Sequence, residues 1–142
     1  MRDKLILLVE DNEPEIALMR LALSDNGITA KVIIARDGEE ALDILLSKAN
    51  GNGNALPSVV FLDLKLPKVN GLEVLKAARS QERARPVPII ILSGSGREED
   101  IRTAYVLGAN SYIRKPISFE EFSKAVKQLS SYWLALNEAP PV

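Results

Sequence analysis

Five short apolar runs punctuate the chain: Leu5–Val9, Val32–Ala35, Val59–Leu62, Ile89–Leu92 and a shorter one at Tyr112–Ile113. They are too short for helices and carry β-branched or aromatic residues, which predicts strands buried on both faces of a parallel sheet. The segments between them repeat at helical spacing. Asp11-Asn12-Glu13-Pro14 reads as a helix start, with an Asp or Asn cap and Pro in the first turn. Ile16, Met19, Ala22 and Leu23 then share one face, and Gly27 is a plausible stop. Ala41, Leu42, Leu45 and Leu46 mark a second helix; Leu72, Leu75 and Ala78 a third, after Asn70-Gly71; Ile101, Ala104, Tyr105 and Gly108 a fourth. Phe119, Phe122, Val126, Leu129 and Trp133 mark a fifth, at steps of three and four.

The alternation predicts an α/β fold of five βα units, a parallel sheet covered on both faces. The chain of 142 residues suits a single domain. Asn50-Gly51-Asn52-Gly53-Asn54 is turn chemistry and reads as a surface loop between the second helix and third strand.

Composition narrows the chemistry. Lys and Arg number 18 against 19 Asp and Glu, a formal charge of −1, which argues against nonspecific nucleic-acid binding. The chain has no Cys, which removes disulfides and thiolate metal sites. It has no His, which removes the commonest general base and the usual zinc ligands. Any metal must be held by oxygen, favouring Mg²⁺, Ca²⁺ or Mn²⁺. No apolar stretch approaches the ~20 residues of a membrane span, and the start is a poor signal peptide. A soluble, cytoplasmic protein is expected.

Asp63 ends the third apolar run, and a buried carboxylate is costly unless its charge is compensated. It is either a loop residue in water or part of a site. In open α/β sheets ligands bind at the carboxyl ends of the strands. Glu10 and Asp11 follow the first run, Ser93 and Gly94-Ser95-Gly96 the fourth, and Lys115-Pro116 the fifth, whereas Arg36-Asp37-Gly38 after the second reads as a helix start. Each has a plainer alternative: an acidic capping turn, a loop hydroxyl, a solvated lysine. Their arrival at the ends of separate parallel strands favours a site. Gathered carboxylates repel, and Mg²⁺ relieves the conflict. An open metal position would take one phosphoryl oxygen, Lys115 another and Ser93 a third. Asp63 would then be both a metal ligand and the nucleophile that becomes an acyl phosphate.

On these residues the chain resembles the receiver domain of two-component response regulators. "LILLVEDN", "VVFLDLKLPKVNGLEVL", "IIILSGSG" and "SYIRKPIS" occur in that family's order and spacing, covering almost the whole chain. The resemblance implies a flavodoxin-like sheet of order 2-1-3-4-5. It implies Asp63 as phosphoacceptor, Glu10 and Asp11 as the acidic pair for Mg²⁺ (or Mn²⁺) with Asp11 the direct ligand, and the backbone carbonyl of Lys65 as a further ligand. Lys115 resembles the phosphate-contacting lysine, with a cis bond to Pro116. Ser93 and Tyr112 match the hydroxyl and aromatic switch positions. The implied mechanism is a two-state shift: phosphate draws in Ser93, Tyr112 turns inward, and the surface of the fourth helix, fifth strand and fifth helix changes its partners. Gly94 is small enough to leave the phosphate accessible, and Lys65 lies where the family tunes dephosphorylation.

The resemblance further implies a sensor histidine kinase as donor and a catalytic role limited to the protein's own phosphorylation and dephosphorylation. The expected division is a receiver over residues 1–133 and a tail over 134–142, with no output domain and signalling by docking. "SSYWLALNEAPPV" and "LDLKLPKVNGLEVL" look like the small regulators that pair with bacterial phytochromes, which implies a homodimer through the fourth-helix to fifth-helix face. The Tyr132-Trp133-Leu134 segment reads either as a helix end covering the core or as an interface. A haloacid-dehalogenase-like phosphatase would need a second acid two residues after the nucleophile, where this chain has Lys65. A pseudo-receiver that binds partners without phosphate would be favoured by a missing acid or lysine, and none is missing. A flavodoxin would need a Ser/Thr/Gly-rich loop where the first strand meets acids.

Overall fold

The computed structural model describes residues 4–46, 56–116 and 118–141. The elements alternate as β1 (Leu5–Val9), α1 (Glu13–Asp25), β2 (Lys31–Ala35), α2 (Gly38–Leu46), β3 (Val59–Leu62), α3 (Gly71–Ser80), β4 (Ile89–Ser93), α4 (Glu98–Val106), β5 (Ser111–Arg114) and α5 (Phe119–Ser130). A π-helical stretch, Ser131–Leu136, continues from α5. The strands form one parallel sheet of order β2-β1-β3-β4-β5, as the family resemblance implied. The loop expected at Asn50–Asn54 lies outside the described residues.

Strand side chains alternate between two cores. Leu7, Val9, Val60, Leu62, Ile89 and Ile91 face α2, α3 and α4, meeting Ala41, Leu45, Val74, Leu75, Ala78 and Ala104. Ile6, Leu8, Val59, Phe61, Ile90 and Leu92 face α1 and α5, meeting Ile16, Met19, Ala22, Leu23 and Val126. β1, β3 and β4 are buried at every residue, whereas the edge strands β2 and β5 are mostly half-buried. Each fully buried Ile, Leu or Phe contributes about 1.5–3 kcal/mol of transfer free energy, so the three central strands anchor the fold.

Local signals set the helix ends. Asn12 caps α1 by accepting from the Glu15 amide, Asn70 caps α3 from Glu73, and Ser118 caps α5 from Glu121. Gly108 lies beyond α4 rather than within it, because its φ of 106° suits the turn after a helix and not the helix itself. Arg79 of α3 then ties that turn down, donating to the carbonyls of Gly108 and Val87 and to Asn110 Oδ1. Trp133 and Leu134 are half-buried against the α1–α5 core, while Tyr132 and Leu136 are exposed. The reading as a helix end covering the core thus holds for Trp133 and Leu134, while Tyr132 and Leu136 face outward.

Candidate functional site

The parallel ladder carries past the strand ends and brings the polar residues into line. The amide of Glu10 donates to the Ala35 carbonyl, that of Asp63 to Val9, and that of Lys115 to Ser93. Each residue that follows an apolar run is thus pinned to the last residue of the neighbouring strand. α3 closes over the same edge at Gly71, whose amide donates to the Leu64 carbonyl. A Cβ at Gly71 would lie 2.3 Å from the Asp63 carbonyl oxygen, so only glycine permits this approach. Lys68, at φ 67°, turns the loop between β3 and α3, and its ammonium lies 3.5 Å from Asp37.

Glu10, Asp11, Asp63, Lys65, Ser93, Gly94 and Lys115 all line one cleft of about 530 Å³. Glu10 and Ser93 are buried, Asp63 and Lys115 half-buried, and Asp11 is exposed. One carboxylate oxygen from each of Glu10, Asp11 and Asp63 lies within 4.8 Å of the others. All-oxygen donors at that separation fit a hard divalent cation.

The charge balance turns on Lys115. Its Nζ lies 2.8 Å from Glu10 Oε1, 2.5 Å from Glu15 Oε2 and 3.6 Å from Asp63 Oδ2. Burial alone would lower the lysine pKa. Its hydrogen bonds to Glu10 and Glu15 outweigh that and hold it above the ordinary value. Burial pushes Glu10 up to about 8, with its hydrogen bond to Glu15 and the nearby Asp63 adding to the rise and Lys115 opposing it. Glu15 moves the other way, lowered by the hydrogen bond from Glu10 and then by Lys115.

The opposite wall is held by hydroxyl and backbone hydrogen bonds that end on one carboxylate. Ser93 Oγ accepts from the Ser95 amide at 3.2 Å. Ser95 Oγ donates to Asp100 of α4 at 2.5 Å, and the Ser95 carbonyl accepts the Tyr112 hydroxyl at 2.8 Å. Ser95 thereby joins the two expected switch residues, Ser93 and Tyr112, to the first turn of α4.

Three features lay outside the sequence reading. Glu15 is one. Its spacing from Asn12 fits a capping box, in which the acid would reach back to the cap amide; here the acid is drawn to Lys115 instead. The Ser95–Asp100 bond is another, and it depends on how the β4–α4 loop folds. Arg97, at the cleft rim, is the third. The expected cis bond between Lys115 and Pro116 is corrected: no cis peptide occurs among the described residues. Trans is the lower-energy form of an X–Pro bond by about 0.5–1 kcal/mol.

Comparison with known proteins matches residues 6–127 to the response regulator receiver domain. A probable methanogenesis regulatory protein, FilR2 of Methanothrix harundinacea, is 43% identical over 136 residues, covering 96% of this chain and 87% of its own length. The solved structure of a phosphorylated cyanobacterial phytochrome response regulator, RcpA, superposes with a TM-score of 0.89 at 35% identity, covering 99% of this chain and 100% of that one. The Mn²⁺-bound form of the response regulator Rcp1, a protein known from Synechocystis, superposes with a TM-score of 0.85 at 32% identity, covering 97% and 99%.

Proposed function

The chain belongs to the response regulator receiver family, and from that premise we propose that it accepts a phosphoryl group on Asp63 from a sensor histidine kinase. The observation that carries this reading is the meeting of Glu10, Asp11, Asp63, Ser93 and Lys115 in one cleft at the ends of β1, β3, β4 and β5.

In the proposed reaction an Asp63 carboxylate oxygen attacks phosphorus. The P–N bond of the donor phosphohistidine breaks, and the imidazole nitrogen keeps the electron pair. The product is an acyl phosphate. The half-buried Asp63 lines the cleft, and its backbone is fixed by the hydrogen bond its amide donates to the Val9 carbonyl. Lys115 offsets the growing negative charge, and the Ser93 hydroxyl donates to a phosphoryl oxygen. Mg²⁺ or Mn²⁺, when bound, would supply further charge neutralisation. Asp11, Asp63 and the Lys65 carbonyl would hold it, with Glu10 beside them. Because the catalysis serves only the chain's own phosphorylation and dephosphorylation, the protein acts as a signalling module rather than an enzyme with an external substrate.

The output we infer is a change in docking, coupled through Ser93, Ser95 and Tyr112 to α4. Exposed Tyr105 and Val106 on α4 support a homodimer through the α4–α5 face. Residues 1–133 are proposed as the signalling unit and 134–142 as its tail. A bacterial phytochrome is the proposed kinase class, supported by the likeness to the phytochrome regulator RcpA.

The test is incubation with acetyl phosphate and Mg²⁺, read by intact mass. Wild type should gain one phosphoryl group, Asp63→Asn none, and chelator should remove the gain. If acetyl phosphate, candidate kinases and beryllofluoride all leave wild type unchanged, the acidic cluster is structural and the chain is an interaction module. Sedimentation showing only monomer at high concentration, with and without beryllofluoride, would sink the dimer.

A further inference from the structure

The shortest of the three Lys115 ion pairs is to Glu15, an acid that stands on none of the strand ends. We propose that Glu15 is a positioning residue: it draws the Lys115 ammonium back from Asp63 and so sets how readily the cleft accepts a phosphoryl group. This rests on the receiver reading above and adds a regulator to it.

The geometry supports a restraint rather than a chance pair. Asn12 Oδ1 accepts from the Glu15 amide at 3.0 Å, so the backbone that carries the acid is fixed at the first turn of α1. Glu15 and Lys115 both line the cleft and also the small apolar pocket beside it, walled by Leu8, Met19, Leu92, Phe119 and Phe122. Low-dielectric walls strengthen a charge pair relative to one in open water. The Lys115 side chain is 17% exposed and that of Glu15 40%. The lysine sits 2.5 Å from Glu15 but 3.6 Å from Asp63, beyond hydrogen-bond reach of the proposed nucleophile.

One ammonium divided among several carboxylates goes where the negative charge is greatest. A phosphoryl group raises the charge at Asp63, which shifts the lysine toward it at the expense of Glu15. The free energy of that transfer opposes phosphorylation. Removing the Glu15 charge should therefore favour the phosphorylated state, and only while Lys115 is present.

The experiment measures beryllofluoride affinity by fluorine NMR in saturating Mg²⁺, together with Mg²⁺ affinity, for wild type, Glu15→Gln, Lys115→Ala and the double variant. Glu15→Gln should bind beryllofluoride about two- to fivefold more tightly, the range of a partly exposed ion pair. Its Mg²⁺ affinity should not tighten, and the gain should vanish in the Lys115→Ala background. A misfolded variant would bind the analogue more weakly, so damage cannot mimic the expected gain. No change, a weakening, or an equal gain with and without Lys115 would overturn the proposal. Failure of wild type itself to bind beryllofluoride would instead remove the receiver reading on which it rests.

Discussion

The two walls of the cleft are held by different forces. On the α1 side, one ammonium is set among Glu10, Glu15 and Asp63. On the α4 side, Ser93, Ser95 and Tyr112 are joined by hydrogen bonds between neutral groups, with Asp100 as the one charged terminus. The first wall answers to charge, whether it comes from protons, cations or a phosphoryl group. The second answers to position, because a hydroxyl bond depends on distance and angle far more than on ionic surroundings. On the proposed function, charge arriving on one side of the cleft would be read out as a change of position on the other.

The largest expected effect breaks the charged wall. Lys115→Ala leaves Glu10, Glu15 and Asp63 without their cation and should cost about 3 kcal/mol in urea unfolding, since removing one partner of a buried pair strands the others. Added Mg²⁺ should recover part of that loss, and a loss indifferent to Mg²⁺ would contradict the assignment.

A second effect comes from pH. Burial raises the Glu10 pKa from 4.5 in the unfolded chain to about 8 in the folded one. The folded state then binds the extra proton in that window. Its stability should be greatest at the acid end and decline as pH rises toward about 8. Mg²⁺ must displace the same proton, so its affinity should rise through the window, by up to about tenfold per pH unit, and level off above it. Calorimetric titration at several pH values reads this directly, and a flat profile would count against a protonated Glu10.

The neutral wall should respond less and without regard to cations. Ser95→Ala removes the bond to the Asp100 carboxylate and should cost about 1.5 kcal/mol in urea unfolding, equally with and without Mg²⁺. Tyr112→Phe removes one hydroxyl bond to the Ser95 carbonyl and should cost about 0.5 kcal/mol. A Mg²⁺-dependent cost in either would erase the distinction between the walls.

Much of this was legible in the residues. The continuous apolar strands declared a parallel sheet because burial on both faces leaves no room for alternation, and β1, β3 and β4 are buried throughout. The half-burial of β2 and β5 follows from their place at the edges, which the alternating pattern did not show and the family motifs implied. Glu10, Asp11, Asp63, Ser93 and Lys115 stood out because a strand end in a parallel sheet has a fixed neighbour. Glu15 did not, because an acid three residues after a cap has a sufficient local explanation, and its pairing with Lys115 spans 100 residues. Ser95 was visible only as part of a Gly-Ser-Gly loop, whose partners are set by how α4 is laid down. Pro116 was assigned the rarer isomer on resemblance, and the backbone takes the commoner one.

The division of the interior by the sheet has a consequence for how such a sequence can change over time. The α1–α5 core and the α2–α3–α4 core are lined by opposite faces of the same strands. Substitutions on the helices of one compartment should combine additively with those on the helices of the other, because distant side chains without shared partners rarely couple. Lineages can then redesign the outer helices on one side while the other drifts on its own schedule. A cleft seated on the backbone edge between them keeps its geometry through both histories.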